Sequence, residues 1–351
     1  MTASRYRGSL AVWLLLLGYA SLYPFFPLRL PPSDWAREFF AFSARYLIRS
    51  DIAFNVIAYV PLGTLACLYF RNQPNPRIPV LKSVALGAGF ALAMELAQLY
   101  VPNRVSSLVD IGCNTAGTIL GALAYFGPIY TYITQPLGEV RERQVISGAW
   151  GDAGLVLLML WFLSQWNPAL PFFGAGNVGT EGRADLSILQ WLGVGLAICG
   201  FGLFVSSLLK DPRGSLRATF VLLSVALWLK FVTASMLLQP HFSEEWLSVE
   251  RIAGLAGGLV AFVPMRRLSR PVRIYLGLVT ILAGALFAKI FGAYSPTEEL
   301  VRLFRWPHGQ LGSFATLTRF LHELWPVAAI VFLIGLFFRE RRLAAESKME
   351  P

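Results

Sequence analysis

A train of apolar runs of spanning length, about 17 to 25 residues each, leaves this 351-residue chain few ways to fold. The runs fall near residues 9–27, 52–70, 80–101, 108–127, 148–166, 186–208, 216–238, 249–265, 272–293 and 323–338. In hydrocarbon every backbone N–H and C=O must be satisfied within the segment, so such runs are helices. The expected fold is therefore all-α, a polytopic transmembrane helical bundle of about ten spans. Composition agrees: 56% of residues are hydrophobic and 14% charged, whereas a soluble domain carries roughly a quarter charged residues. Arg5 and Arg7 precede the first run, which continues through Pro24 and Pro27 without a small-residue cleavage site, so it reads as an uncleaved span.

Charge sets orientation and limits the partners. Lysine and arginine (30) exceed aspartate and glutamate (20), an excess that in a soluble protein would suggest nucleic acid. Here the basic residues sit at the ends of apolar runs, where cytoplasmic loops and anionic headgroups account for them, and no separate basic domain remains for nucleic acid. With both termini cytoplasmic, the inner loops hold about twice as many basic residues as the outer ones, which is the N-in/C-in arrangement. The group Arg29, Arg37, Arg45 and Arg49, in an amphipathic interfacial stretch, is the exception. Polar residues at 134–147 form a cytoplasmic linker between a front module, 1–133, and a rear one, 148–338, followed by a basic tail, 339–351. Membrane lipids are the partners this organisation requires.

Within residues 51–125 polar side chains interrupt helices that are otherwise almost wholly apolar. Asp51 and Asn55 are four residues apart, as are Asp110 and Asn114, while Glu95 and Gln98 are three apart, so each pair shares one helix face. Under the N-in orientation all of these, with Arg104, fall at the outer-leaflet level. Gly117 and Gly121 continue one stripe and Ala91 and Gly87 another, and small residues let neighbouring backbones approach. The polar groups are expected to crown a tight seam of three helices.

The segments Asn55-Val-Ile-Ala-Tyr-Val-Pro61-Leu-Gly63, Glu95-Leu-Ala-Gln98 and Arg104-Val-Ser-Ser-Leu-Val-Asp110-Ile-Gly-Cys-Asn114-Thr-Ala-Gly117 resemble the motifs of the VanZ-like family, over about residues 50–127. That family takes its name from a protein associated with resistance to the glycopeptide teicoplanin. Some members carry further acidic residues just before the aspartate matched by Asp110, where this chain has Ser107 and Val109. The resemblance implies a multi-pass protein of the bacterial inner membrane, in the cell envelope, with a link to antibiotic resistance.

Glu95 and Asp110 are the candidate catalytic acid and base, and Asp51, Asn55, Gln98, Arg104 and Asn114 the candidate ligand-binding residues. An intramembrane ionisable group costs roughly 2.5 to 3.5 kcal/mol on insertion scales, so it is retained for a partner or a task. Glu95 reads either as a neutral acid buried from water or as a carboxylate held ionised by Arg104. Arg104 either pairs with Asp110 across the short loop or turns outward to a phosphate or carboxylate. The functional reading is binding of, or action upon, a lipid-linked saccharide or peptidoglycan-type molecule; the alternative is a non-catalytic assembly protein, and a transporter ranks last.

Elsewhere the pattern is structural. Cys67, Cys113 and Cys199 lie within apolar runs as small core residues, without metal-site spacing. His241, Glu244, Glu245, His308, His322 and Glu323 cluster in or beside outer loops, again without a metal motif. Lys230 and Lys289 lie near span ends, where snorkelling to the interface serves them. No cofactor or metal is expected.

Overall fold

The computed structural model describes residues 4–40, 49–102, 104, 106–125, 131–132, 135–170, 172, 187–239, 249–291, 301–305 and 309–346. Among them no strand forms, only the isolated bridges Val145 to Leu209 and Leu238 to Phe304. The chain divides into two compact units, Met1–Arg141 and Glu142–Pro351, with the division inside the polar stretch read as a linker.

The front unit contains α1 (Ser4–Leu22), α2 (Trp35–Phe40), α3 (Arg49–Phe70), α4 (Arg77–Gln98) and α5 (Leu108–Leu123), with α6 (Gln135–Gln144) at the division. The rear unit contains α7 (Ala149–Ser164), α8 (Ser187–Leu208), α9 (Ser215–Leu237), α10 (Val249–Met265), α11 (Arg270–Phe291) and α12 (Gly309–Glu346). Every apolar run read from the sequence holds a helix. Six helices, namely α3, α4, α8, α9, α11 and α12, are long and apolar enough to cross a membrane, while α5, α7 and α10 are apolar but shorter. The architecture is a helical membrane bundle.

The front unit is drawn together by missing side chains. α3 lies along α5, and a Cβ on Gly121 would fall 1.9 Å from the Val60 carbonyl oxygen, one on Gly117 2.2 Å from that of Val56, and one on Gly63 2.0 Å from that of Thr118. These helices touch backbone to backbone, a closeness that only glycine permits. Thr64 Oγ1 donates to the Gly121 carbonyl at 2.9 Å and ties the crossing. α4 joins through Gly87, where a Cβ would meet Thr118 Oγ1 at 2.3 Å, and through the buried Ala91. α1 covers this seam, with Leu10 and Leu17 packed on Tyr59, Leu62 and Ala66, and Trp13 Nε1 donates to the Ala58 carbonyl at 3.0 Å.

In the rear unit α8 is the central helix: 72% of Trp191–Leu208 is buried, against 22–33% for the other spanning helices. α10 crosses it at Gly254 and Gly258, where Cβ atoms would lie 2.6 and 2.5 Å from the carbonyls of Trp191 and Gly195. An aromatic lattice fills the space toward α7 and α12, with Trp161 and Phe201 ring centroids 4.1 Å apart and Phe204 5.5 Å from Trp325.

Three details differ from the sequence reading. α12 extends to residues on both sides of the expected run at 323–338 and passes through Pro326. Its first turns carry Arg319, His322 and Glu323, which lower the local hydropathy, but Arg319 Nε and Glu323 Oε1 pair at 2.9 Å on one exposed face while Ala315 and Leu321 are buried. His322 is accordingly a helical residue, not a loop residue. Lys230 does not snorkel: it is fully buried, and its Nζ donates to the Asn167 carbonyl at 2.8 Å. The chain after α7 folds over it, and Asn167 Nδ2 donates in turn to Thr318 Oγ1 at 2.9 Å, so the ammonium finds polar company inside the bundle. Lys289, by contrast, is exposed at the end of α11. His241, Glu244, Glu245 and His308 lie outside the described residues, as does the side chain of Asp51.

Candidate functional site

The site is built where α4 ends and α5 begins. Ser107 is extended (φ −146, ψ 139) and caps α5, its side chain accepting from the Val109 N–H at 3.0 Å. Ser107-Leu-Val-Asp110 matches the pattern in which an acid three residues inside a helix reaches back to the cap residue's own N–H. Here Glu95 of α4 accepts from that N–H instead, through Oε2 at 2.9 Å. Ser106 Oγ donates to the Glu95 carbonyl at 2.7 Å, closing the turn between the helices. The Glu95 side chain thus takes up one of the N–H groups that the start of α5 leaves open.

Asp110 is left to accept from α3: Asn55 Nδ2 donates to its Oδ1 at 2.7 Å. One turn further along α5, Asn114 is 5% exposed, and its Oδ1 has no partner among the described residues. Tyr59, one turn beyond Asn55 on the same face of α3, is 3% exposed, and its hydroxyl also lacks a partner there. Glu95, itself 3% exposed, interacts electrostatically with Asp110, Arg104 and Tyr59. α3, α4 and α5 thus deliver Asn55, Tyr59, Glu95 and Asp110 to one cluster.

Gln98 and Arg104 turn the other way, onto the carboxyl end of α1. Gln98 Nε2 donates to the Ser21 carbonyl at 3.0 Å. Arg104 Nη2 donates to the carbonyls of Ala20 and Tyr23 at 3.0 and 3.2 Å, and Nε reaches Tyr23 at 3.4 Å. A guanidinium at this terminus satisfies carbonyls the helix leaves open and meets its negative dipole end. Burial draws the Arg104 guanidinium below its ordinary range, and the Glu95 carboxylate opposes the shift. Beside it lies an apolar cavity of ≈ 260 Å³, lined by Leu22, Phe25, Leu28, Ala97, Tyr100 and Val101.

Of the residues singled out from sequence, then, Asn55, Glu95 and Asp110 meet at one cluster, and Asn114 lies one turn from Asp110. Gln98 and Arg104 hold the end of α1 and are not among the residues that line the cavity. Tyr59 was missed, although its four-residue spacing from Asn55 puts it on the same face; so was Ser107, although its capping pattern is plain in the sequence. No three His, Cys, Asp or Glu side chains converge among the described residues. Replacing Asn55 and Asp110 by alanine, singly and together, should reveal a coupling of about 0.5 to 1.5 kcal/mol in unfolding free energy. Strict additivity would mean that the bond contributes nothing.

A bundle of apolar helices carrying a polar cluster at helix ends defines a multi-pass membrane protein. Residues 9–131 match the family described as VanZ/LLP1, so the chain carries a VanZ-like segment. The match takes in α1 as well as α3 to α5, the helix that Gln98 and Arg104 hold. No curated protein and no solved structure matches the chain.

Proposed function

We propose that the VanZ-like unit binds a lipid-linked saccharide or peptidoglycan-type molecule at the outer leaflet of the bacterial inner membrane, and through it affects glycopeptide susceptibility. The bundle has about ten spans in this reading, with both termini in the cytoplasm. One observation carries it: an apolar cavity of ≈ 260 Å³ lies at the end of α4, the helix whose last turns also carry Glu95 and Gln98, so a place for a chain lies near headgroup chemistry. Leu22, Phe25 and Val101 take the lipid chain, Arg104 and Gln98 lie nearest its anionic linkage, and Asp110 with Asn55 and Asn114 meets sugar hydroxyls. Should proton transfer follow binding, Glu95 and Asp110 are the acid and base.

A specific observation also favours the non-catalytic alternative. Glu95 bonds the cap of α5 while Gln98 and Arg104 bond α1, so the same residues serve as assembly joints. Glu95→Gln separates the two readings, since the amide keeps an acceptor oxygen for the Ser107 N–H but has no carboxyl proton to give or take. We expect folded, membrane-inserted protein at near wild-type yield and at least a tenfold weaker retention of a lipid-linked disaccharide, roughly 1.4 kcal/mol. If retention and susceptibility are unchanged, the ligand reading fails; if yield and phenotype fall in proportion, the residues are joints alone.

A further inference from the structure

The rear unit carries a second polar cluster, at the opposite kind of helix end and with the opposite charge. α8 finishes at Leu208 and α11 starts at Arg270; two arginines reach the last carbonyls of α8, and a third reaches the turn that follows it. Arg273 is 3% exposed and donates through Nη1 to the Ser206 carbonyl at 3.1 Å and to Ser206 Oγ. Arg270 Nη2 reaches the Ser207 carbonyl at 3.2 Å, and Arg266 Nη1 the Arg213 carbonyl at 3.1 Å. Such contacts cap a helix and need only part of a guanidinium, which has five N–H donors in a planar fork. In all three the Nε–H is shielded from solvent and has no acceptor among the described residues.

The acids at hand do not balance these charges. Glu340 pairs with Arg270 at 3.7 Å but is shared with Arg339 at 4.0 Å. Asp211 lies within electrostatic range of Arg273, but its Oδ1 already accepts the Arg213 N–H at 2.8 Å in the turn before α9. Arg213, Arg267 and Lys210 add exposed positive charge around the same turn.

We propose that Arg266, Arg270 and Arg273 form a site for the phosphodiester headgroup of an anionic membrane lipid. A phosphate offers several acceptor oxygens to donors in fork geometry, which suits guanidinium better than ammonium. The lipid, rather than soluble phosphate, is indicated by position: the arginines stand where the spanning segments Trp191–Leu208 and Arg270–Ile290 reach their polar ends, which is headgroup depth. Basic pockets between membrane helices on the cytoplasmic side recognise anionic headgroups by this chemistry.

Native mass spectrometry of the full-length chain in mild detergent, titrated with phosphatidylglycerol or phosphatidylcholine, tests the site. The expected result is selective retention of phosphatidylglycerol, weakened about tenfold by Arg266→Gln, whose side chain is only half-buried. Arg273→Lys keeps the charge and loses the fork, so it should weaken retention similarly while leaving the thermal melting profile cooperative. Equal retention of the two lipids overturns the proposal, as does unchanged phosphatidylglycerol binding in a folded Arg266→Gln/Arg273→Lys protein. Stabilisation by inorganic phosphate equal to that by the lipid also overturns it, because the ligand would then be a soluble anion.

Discussion

Gly121→Ala should abolish the folded front unit, lowering its stability by more than about 3 kcal/mol, the upper part of the range for overpacking. The added Cβ would lie 1.9 Å from the Val60 carbonyl oxygen and 2.8 Å from its carbon. Neither atom belongs to a side chain that can swing aside, so α3 and α5 must separate along the crossing. That separation also breaks the Thr64 bond to Gly121 and loosens the Asn55 bond to Asp110. Gly112→Ala and Gly89→Ala are internal controls: both sites are helical with nothing within 4 Å of a new Cβ. Each should be neutral or stabilising by up to about 1 kcal/mol, from alanine's higher helix propensity. Folded yield and thermal midpoint in detergent decide the matter; comparable values for Gly121→Ala and the controls would show that the two backbones do not meet as described.

Arg104→Met should release the carboxyl end of α1 without unfolding the rest of the unit. Two carbonyls, those of Ala20 and Tyr23, lose a charged donor, at a cost of about 2 to 3 kcal/mol for bonds of this kind. The loss is local, because α3 and α5 stay joined by their glycine crossing, and local opening has its own free energy below the global one. A Ser21→Cys reporter should therefore react with a membrane-impermeant thiol reagent roughly 30-fold faster or more, while the thermal midpoint moves little. Arg104→Lys should lie between the two, since a point charge does not serve both carbonyls as the fork does. Wild-type labelling rates in Arg104→Met would remove the arginine from this joint. The cavity beside it would be expected to widen in the same variant, since Leu22 and Phe25 line it and belong to the released end.

The two experiments address different kinds of legibility. Gly117 and Gly121 are visible in sequence as a stripe of small residues, and the inference that this face meets another backbone needs only helical periodicity. That Gly63 belongs to the same crossing was not legible, because a lone glycine beside Pro61 reads equally well as a point of bending. Arg104 shows the harder case. Its charge and loop position suggested either an ion pair with Asp110 or an outward-facing anion site, and no periodicity argument reaches across 81 residues to the Tyr23 carbonyl. Lys230 makes the same point in the rear unit: its position near a helix end suggested an interface, and only the fold of the segment carrying Asn167 encloses it.

By itself the sequence determined that this chain is an all-helical membrane protein, where its apolar runs lie, and which faces carry polar or small side chains. Those properties are local: spanning length, hydropathy and the 3.6-residue period are written within each segment. The tertiary structure decided which partner each polar group takes. Glu95 caps α5, Asn55 holds Asp110, and Arg104 closes α1, because hydrogen-bond geometry is satisfied between elements distant in sequence and depends on how closely their backbones pack.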